Sequence, residues 1–315
     1  MILEDIKQKI EKANSIVLLT HEMPDGDAVG STIAMYIALK RLGKNVDMII
    51  ENCPRTYDFL PFRNEIKEEG SREKYDLTIA LDCSDIKRLN GFSNYFETAK
   101  DRIVIDHHGS NTMFGDINFV NPVSPACCQI LVLVLEYLGV EIDKEIGTCI
   151  LAGIITDTGG FKYEAVTAET FELVAQLINK GINVSNVYKK VLQMISRSSF
   201  ELRKIAMNRL EFLEEGKISF TYITKKDEET WNAVTGEHEG IVEMARDIEG
   251  VEVAIFLREA ENGYKASLRS NNYVNVSDIC LMLGGGGHPK AAGANLPFPL
   301  EQAKEKIVEQ IKNYL

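Results

Sequence analysis

No run in this 315-residue sequence is apolar enough over enough residues to predict a membrane span. The N-terminus also lacks the apolar core followed by small residues that a secretory leader carries, so a cytoplasmic location with no membrane partner is the expectation. Any C-x-x-C pair is missing too. Cys53, Cys83, Cys127, Cys128, Cys149 and Cys280 are scattered, which argues against a zinc ribbon or disulfide framework and predicts reduced thiols. Basic residues are scarce beside acids, 35 Lys and Arg against 47 Asp and Glu. The resulting net charge of −12 opposes attraction to long duplex DNA, whose binding relies on many contacts from cations to phosphates. A short or mononucleotide ligand escapes that objection, because divalent ions reverse the potential inside an acidic site.

What is present fits two cores rather than one. Short apolar runs alternate with amphipathic stretches up to about residue 180, predicting an α/β fold whose parallel sheet has helices on both faces. Candidate strands are Ser15 to Thr20, Val46 to Ile50, Leu77 to Leu81 and Arg102 to Ile105. Helices are expected over Ala28 to Leu42, closed by Gly43, and Gln129 to Leu138, closed by Gly139. Residues 1–182 form the expected first domain, and 183–215, charged and helical in period, a connector. Residues 216–315 form a smaller α+β domain, with strands at Ile218 to Ile223, Val251 to Glu259 and Tyr264 to Arg269, the last two joined by an Asn262-Gly263 hairpin. The apolar face of Leu300 to Leu315 reads as core, and His238, among acids, as part of a surface loop.

Four constellations carry chemistry in the first domain. His21-Glu22-Met23-Pro24-Asp25-Gly26-Asp27 follows the first strand and precedes a helix, and the carboxyl ends of strands are where open α/β sheets bind ligands. A plain turn with Asp27 as helix cap would also account for it. Asp82 ends the apolar run Leu77 to Leu81. Asp106-His107-His108 ends the strand before Gly109-Ser110-Asn111, so three of only five histidines fall at strand ends on one edge. Asp157 terminates the apolar helix Ile146 to Ile155, where an unpartnered carboxylate would be costly.

Independent turns have no reason to gather acids and histidines on one sheet edge. Two histidines with four aspartates make a hard N/O ligand set suited to Mn²⁺, with Mg²⁺ as the substitute. There are more ligands than one ion needs, which predicts two ions sharing a carboxylate, typically about 3.5 to 4 Å apart, the arrangement used for in-line displacement at phosphorus.

A fifth constellation lies far downstream. Gly284-Gly285-Gly286-Gly287-His288 reads as a loop whose exposed amides approach a ligand, with His288 as a side-chain donor and small residues Ala291, Ala292 and Gly293 beyond. It has neither a P-loop ending nor a dinucleotide-binding fingerprint; a flexible hinge is the plain alternative. Arg269, at a strand end, is a candidate for bidentate phosphate binding or simply a solvated charge.

In this order and over essentially the whole chain, His21-x-x-x-Asp25-x-Asp27, Asp82, Asp106-His107-His108, Asp157 and the terminal Gly285-Gly286-Gly287-His288 with Ala291-Ala292-Gly293 resemble the DHH/DHHA1 phosphoesterase superfamily. The compact layout is similar to the bacterial nanoRNase group. That resemblance implies that His21, Asp25 and Asp82 hold one Mn²⁺ and that Asp27, Asp82, His107 and Asp157 hold the other, with Asp82 bridging. It implies that His108 faces the scissile phosphate with Asp106 orienting a histidine, and that Arg269 and the loop from Gly284 to His288 bind substrate from the DHHA1 domain. Pro125-Ala126-Cys127-Cys128 departs from the family, where hydroxyl residues are common near that helix.

The activity implied is hydrolysis, from one end, of single-stranded RNA about two to five nucleotides long, and 3′-dephosphorylation of adenosine 3′,5′-bisphosphate (pAp) to AMP. Alternatives are a phosphodiesterase of signalling dinucleotides (linear pApA or cyclic di-AMP), a pyrophosphatase sharing the DHH domain, and a nucleotide-binding sensor without catalysis. A homodimer is compatible with all of these.

Overall fold

The computed structural model describes residues 2–234 and 236–315. The chain divides into two compact units, Met1–Met194 and Ile195–Leu315. Among the described residues no helix is long and apolar enough to cross a membrane.

In the first unit, α1 (Ile2–Lys12) leads into β1 (Ser15–Leu19), α2 (Gly26–Arg41), β2 (Asn45–Ile49), β3 (Ile66–Lys67) and β4 (Leu77–Leu81). After a 3₁₀ segment, Ile86–Phe92, come α3 (Ser93–Thr98), β5 (Asp101–Asp106), β6 (Ile117–Val120), α4 (Cys127–Tyr137), α5 (Lys144–Asp157), α6 (Ala168–Asn179) and α7 (Val184–Tyr188). The six strands form a wholly parallel sheet in the order β3-β2-β1-β4-β5-β6. The central strands β1 and β4 are buried at every position because both faces of the sheet are covered. Ile16, Leu18, Ile79, Ile103 and Ile105 point into the layer of α1, α2, α4 and α5. Val17, Leu19, Ala80 and Val104 point the other way, onto Leu89 of the 3₁₀ segment and Phe96 of α3. The strand order reverses between β1 and β4, which leaves a crevice at their carboxyl ends.

β3 and β6 lie outside the strands expected from sequence. They are edge strands of two and four residues, and β6 is only half-buried, so neither carries the continuous apolar run that marks an interior parallel strand.

The second unit runs α8 (Arg197–Asn208), β7 (Glu211–Leu213), β8 (Ile218–Ile223), α9 (Lys225–Thr230), α10 (Ile241–Arg246), β9 (Val253–Ala260) and β10 (Gly263–Ser270). It closes with α11 (Val276–Met282), β11 (Gly286–His288), β12 (Ala291–Leu296) and α12 (Leu300–Lys312). Its six strands are ordered β11-β12-β10-β9-β8-β7, antiparallel except for β8 beside β9. One face packs on α11 and α12 through Ala266, Leu268, Ala292 and Ala294, and α12 buries Ala303, Ile307 and Ile311 there. The other face packs on α8 and α10 through Ala254 and Phe256.

The stretch 183–215 is not a uniform connector. It holds α7 and a π-helical turn, Lys189–Gln193, in the first unit, and α8 and β7 in the second. Two further expectations are corrected. The run Gly284 to Gly287 is a loop only in its first half, since Gly286–His288 is a strand paired with Ala291–Gly293. His238 is not a solvated loop residue: its ring stacks on Phe256 at 6.2 Å, and burial pushes its pKa down to about 4.

Candidate metal centre

Each candidate side chain of the first unit is delivered by the end of a regular element. His21 lies two residues past β1, Asp82 directly follows β4, Asp106 is the last residue of β5 with His107 and His108 after it, and Asp157 is the last residue of α5. Asp25 rather than Asp27 caps α2: its Oδ1 accepts the amides of Asp27 at 2.9 Å and Ala28 at 3.1 Å. The fully buried carboxylate of Asp27 is thereby released to reach α4, where it accepts the amides of Cys127 at 2.5 Å and Cys128 at 2.9 Å. Asp27 is thus held by backbone amides at the start of α4, within the Pro125-Ala126-Cys127-Cys128 segment that carries no hydroxyl side chain.

The six candidate ligands converge. His21, Asp25 and Asp82 each offer an atom to one group whose members lie within 4.8 Å of one another, and Asp27, His107 and Asp157 do the same in a second. Asp82 reaches toward both histidines, with Oδ2 3.7 Å from His21 Nε2 and Oδ1 3.5 Å from His107 Nε2. His107 Nε2 also stands 3.2 Å from Asp157 Oδ2 and 3.9 Å from Asp27 Oδ2. Its Nδ1 donates to the Ser124 carbonyl at 3.1 Å, which makes Nε2, facing the carboxylates, the nitrogen that becomes a ligand once its proton is lost.

The electrostatics point the same way. Asp82 is 1 % exposed, adopts a left-handed backbone (φ 53°), and its Oδ1 has no hydrogen-bond partner. A buried carboxylate oxygen left so is costly unless a cation satisfies it. Burial, then the neighbouring carboxylates of Asp27 and Asp25, hold Asp82 well above the usual carboxylate range. Burial and Asp27 do the same to Asp157. Burial opposes a charged His107, yet Asp27, Asp82 and Asp157 together push it up to about 9. A divalent cation relieves all of these strains, so the residues present fit one.

His108 differs from the other two histidines. Its Nδ1 is held at 2.7 Å by the buried Asp106, whose second oxygen accepts the Asn111 side-chain amide at 2.6 Å; that amide also reaches the Cys83 carbonyl at 3.1 Å. Burial raises the Asp106 pKa, but the His108 hydrogen bond and charge outweigh it and keep the group below its ordinary value. His108 therefore presents Nε2 as its basic nitrogen.

In the second unit, Arg269 of β10 pairs with Ala291 of β12, which pairs with His288 of β11. Directly opposed residues of antiparallel strands share a face, so Arg269 and His288 lie abreast, two strand spacings or about 10 Å apart, with only the small Ala291 between. Arg269 donates from Nε to Glu243 Oε1 at 2.9 Å and from Nη1 to the Leu268 carbonyl at 3.1 Å. The glycines are needed for strand contact: a Cβ on Gly285 would run into the Gly293 carbonyl, and one on Gly287 would lie 2.5 Å from the Ala291 carbonyl. Gly284, at φ 79°, makes the turn out of α11.

Arg88, Ser124 and Glu243 carry no mark of their roles in the sequence. Arg88 sits in the mixed-charge string Asp85-Ile86-Lys87-Arg88, which reads as solvated surface, and nothing local marks a serine carbonyl or a helix glutamate as a partner for a distant side chain.

The family model of the DHH N-terminal domain matches residues 15–154, and that of the DHHA1 domain matches residues 216–315. A bifunctional oligoribonuclease and PAP phosphatase, NrnA, of Thermus thermophilus is 34% identical over 95% of this chain and 90% of its own length. Among solved structures, an exopolyphosphatase-related protein of Bacteroides fragilis superposes with a TM-score of 0.92 at 26% identity, over 99% of this chain and 96% of that one. RecJ of Thermus thermophilus in complex with Mn²⁺ shares the fold at a TM-score of 0.62 and 14% identity, over 99% of this chain and 55% of its own.

Proposed function

The chain belongs to the DHH family with its DHHA1 domain, and from that premise we propose that this metal-dependent phosphoesterase degrades short oligoribonucleotides from one end and dephosphorylates pAp. Two Mn²⁺ ions would serve the reaction, with His21, Asp25 and Asp82 the residues that would hold one and Asp27, Asp82, His107 and Asp157 those that would hold the other. The observation that carries this reading is Asp82, a buried carboxylate turned toward both histidines with an oxygen no hydrogen bond satisfies.

When bound, such an ion pair lowers the pKa of a coordinated water and stabilises the attacking and leaving oxygens of an in-line displacement. The protein's own groups do the rest. Asp82, turned toward His21 and His107 alike, would serve both positions, and its burial strengthens its attraction for a cation. Asp106, steadied by Asn111, holds His108 with Nδ1 as donor and Nε2 as the nitrogen that can take or give a proton at a phosphoryl oxygen. Arg269 and His288 bind the phosphates of a short strand or of pAp, and the Gly284 to Gly287 run lets β11 lie against β12 so that His288 stands abreast of Arg269. A site that recognises phosphates beside one nucleotide accounts for pAp and a short RNA sharing one enzyme.

The test is product analysis on a labelled trinucleotide RNA and on pAp with Mn²⁺. Mononucleotides released from one end, together with AMP from pAp, are expected. Faster turnover of cyclic di-AMP than of either would move the assignment to signalling dinucleotides, and pAp bound with manganese but never hydrolysed would make the protein a sensor. His107→Ala and Asp82→Ala should each remove manganese-dependent hydrolysis of both substrates while the circular dichroism of the fold persists; retained turnover would sink the metal-site assignment.

A further inference from the structure

Arg88 is a basic side chain in contact with the histidine–carboxylate cluster. Its backbone carbonyl accepts the Glu22 amide at 2.7 Å, which ties the 3₁₀ segment after β4 to the loop that carries His21. Its Nη2 lies 3.2 Å from His21 Nδ1, and it forms no ion pair with any carboxylate among the described residues. His21 Nδ1 is at the same time 2.7 Å from the Glu22 carbonyl.

A neutral imidazole carries one proton, so these two neighbours of Nδ1 make opposite demands. With the proton on Nδ1, the ring donates to Glu22 and directs the Nε2 lone pair toward the Asp82 side, the form able to ligate an ion. The Arg88 guanidinium then faces a second N–H donor, and its positive charge repels an ion on the far side of the ring. With the proton on Nε2, Nδ1 accepts from Arg88 and Nε2–H faces Asp82 Oδ2, 3.7 Å away, and the ring cannot ligate through Nε2. Arg88 favours the form that an ion has to displace. His107 has no such opponent, since its Nδ1 meets the Ser124 carbonyl, which only accepts. The two positions also differ in exposure, since Asp25 of the first is exposed whereas Asp27 of the second is fully buried, where a cation is attracted more strongly.

We propose that Arg88 is a positioning residue that sets the tautomer of His21 and so weakens ion binding at the His21–Asp25–Asp82 position, making the two positions fill at different manganese concentrations. The proposal rests on the two-ion reading above. It makes the working enzyme responsive to the supply of manganese, because the Asp27–His107–Asp157 position fills first and the pair is completed only when free ion is more abundant.

The experiment titrates the metal-stripped full chain with MnCl₂ and follows free Mn²⁺ by its electron paramagnetic resonance signal. Two classes of site are expected, the weaker of them lost in His21→Ala. Arg88→Met should tighten the weaker class about tenfold, the size of one lost charge-assisted hydrogen bond, and leave the stronger class unchanged. Arg88→Lys, which restores the charge, should return most of the difference. A structural role alone would loosen both classes, so tightening of one is diagnostic. Two equal classes in the parent protein, or a weaker class that Arg88→Met leaves unchanged or loosens, overturns the proposal while the two-ion reading stands. Should Arg88→Met fold poorly, Arg88→Gln replaces it under the same criteria. No manganese bound by the parent protein would overturn the two-ion reading and this inference together.

Discussion

At the scale of single residues, the cluster makes the metal-free protein sensitive to pH in a defined direction. His107 has its pKa raised from 6.5 to about 9, so the stability its charged ring contributes is complete below pH 6.5 and lost as pH rises through about 9. Asp82 and Asp157 act in the same sense, because carboxyls whose pKa is raised in the fold lose stability as pH climbs above their ordinary range. Calorimetry in the presence of chelator should therefore show melting temperature falling between pH 6.5 and 9, and Mn²⁺, which takes the protons' place, should flatten that slope. A metal-free melting temperature that rises across the window would contradict the account. Gly153 is a second sensitive position. A Cβ there would collide with Cys128 Sγ and lie 2.6 Å from Asp27 Oδ1. Gly153→Ala is expected to cost about 1–3 kcal/mol in urea unfolding and to weaken manganese binding at the Asp27 position more than at the His21 position. The acids and histidines that cluster stood out in sequence because the segments carrying them follow apolar runs. Their partners were not: the Ser124 carbonyl, the Cys127 and Cys128 amides and the Arg88 guanidinium belong to segments brought close only by the sheet order.

At the scale of elements, patterning exposed the strands with apolar runs or a hairpin turn and missed the short ones at the sheet edges. β1, β4 and β5 were visible as apolar runs, and α5 as a helix apolar nearly all round. β11 was not, because a strand made of Gly286, Gly287 and His288 has no side-chain alternation to read; its signature is steric and shows only when β12 lies beside it. β12 was hidden for a related reason, since alanine and glycine are its residues from Ala291 to Ala294 and neither favours strands by composition. The hairpin gives a prediction that belongs to this scale. Gly285→Ala drives a methyl group into the Gly293 carbonyl and should displace β11 from β12, carrying His288 out of line with Arg269. Steady-state kinetics should show a raised KM for pAp and for dinucleotide RNA, while manganese binding stays as in the parent protein. Weakened manganese binding in that variant would mean that the hairpin does more than recognise substrate.

For the whole molecule, the division into two units was expected from length, but its position was not. It falls at Met194/Ile195, inside a stretch whose charged helical period looked continuous. The physical mark is a π-helical turn, Lys189–Gln193, followed by exposed Met194 and Ile195. Such a turn is held by fewer good hydrogen bonds than an α-helix, and exposed chain is where proteases act first. Brief trypsin treatment should cut at Lys189, Lys190 or Arg197 before other sites and yield two resistant fragments; initial cleavage within either unit would count against this boundary.

Asp27 has a consequence for how quickly the enzyme comes to life. Its carboxylate is locked onto the first turn of α4 by two amides while it also faces His107, so its half of the centre is assembled by the fold before any ion arrives. Loading at that position then requires no loop to close and no helix to dock. In a stopped-flow experiment manganese should enter in a single phase, first order in ion and paced by the exchange of water from its hydration shell, with the same observed rate whether the protein was folded minutes or days earlier.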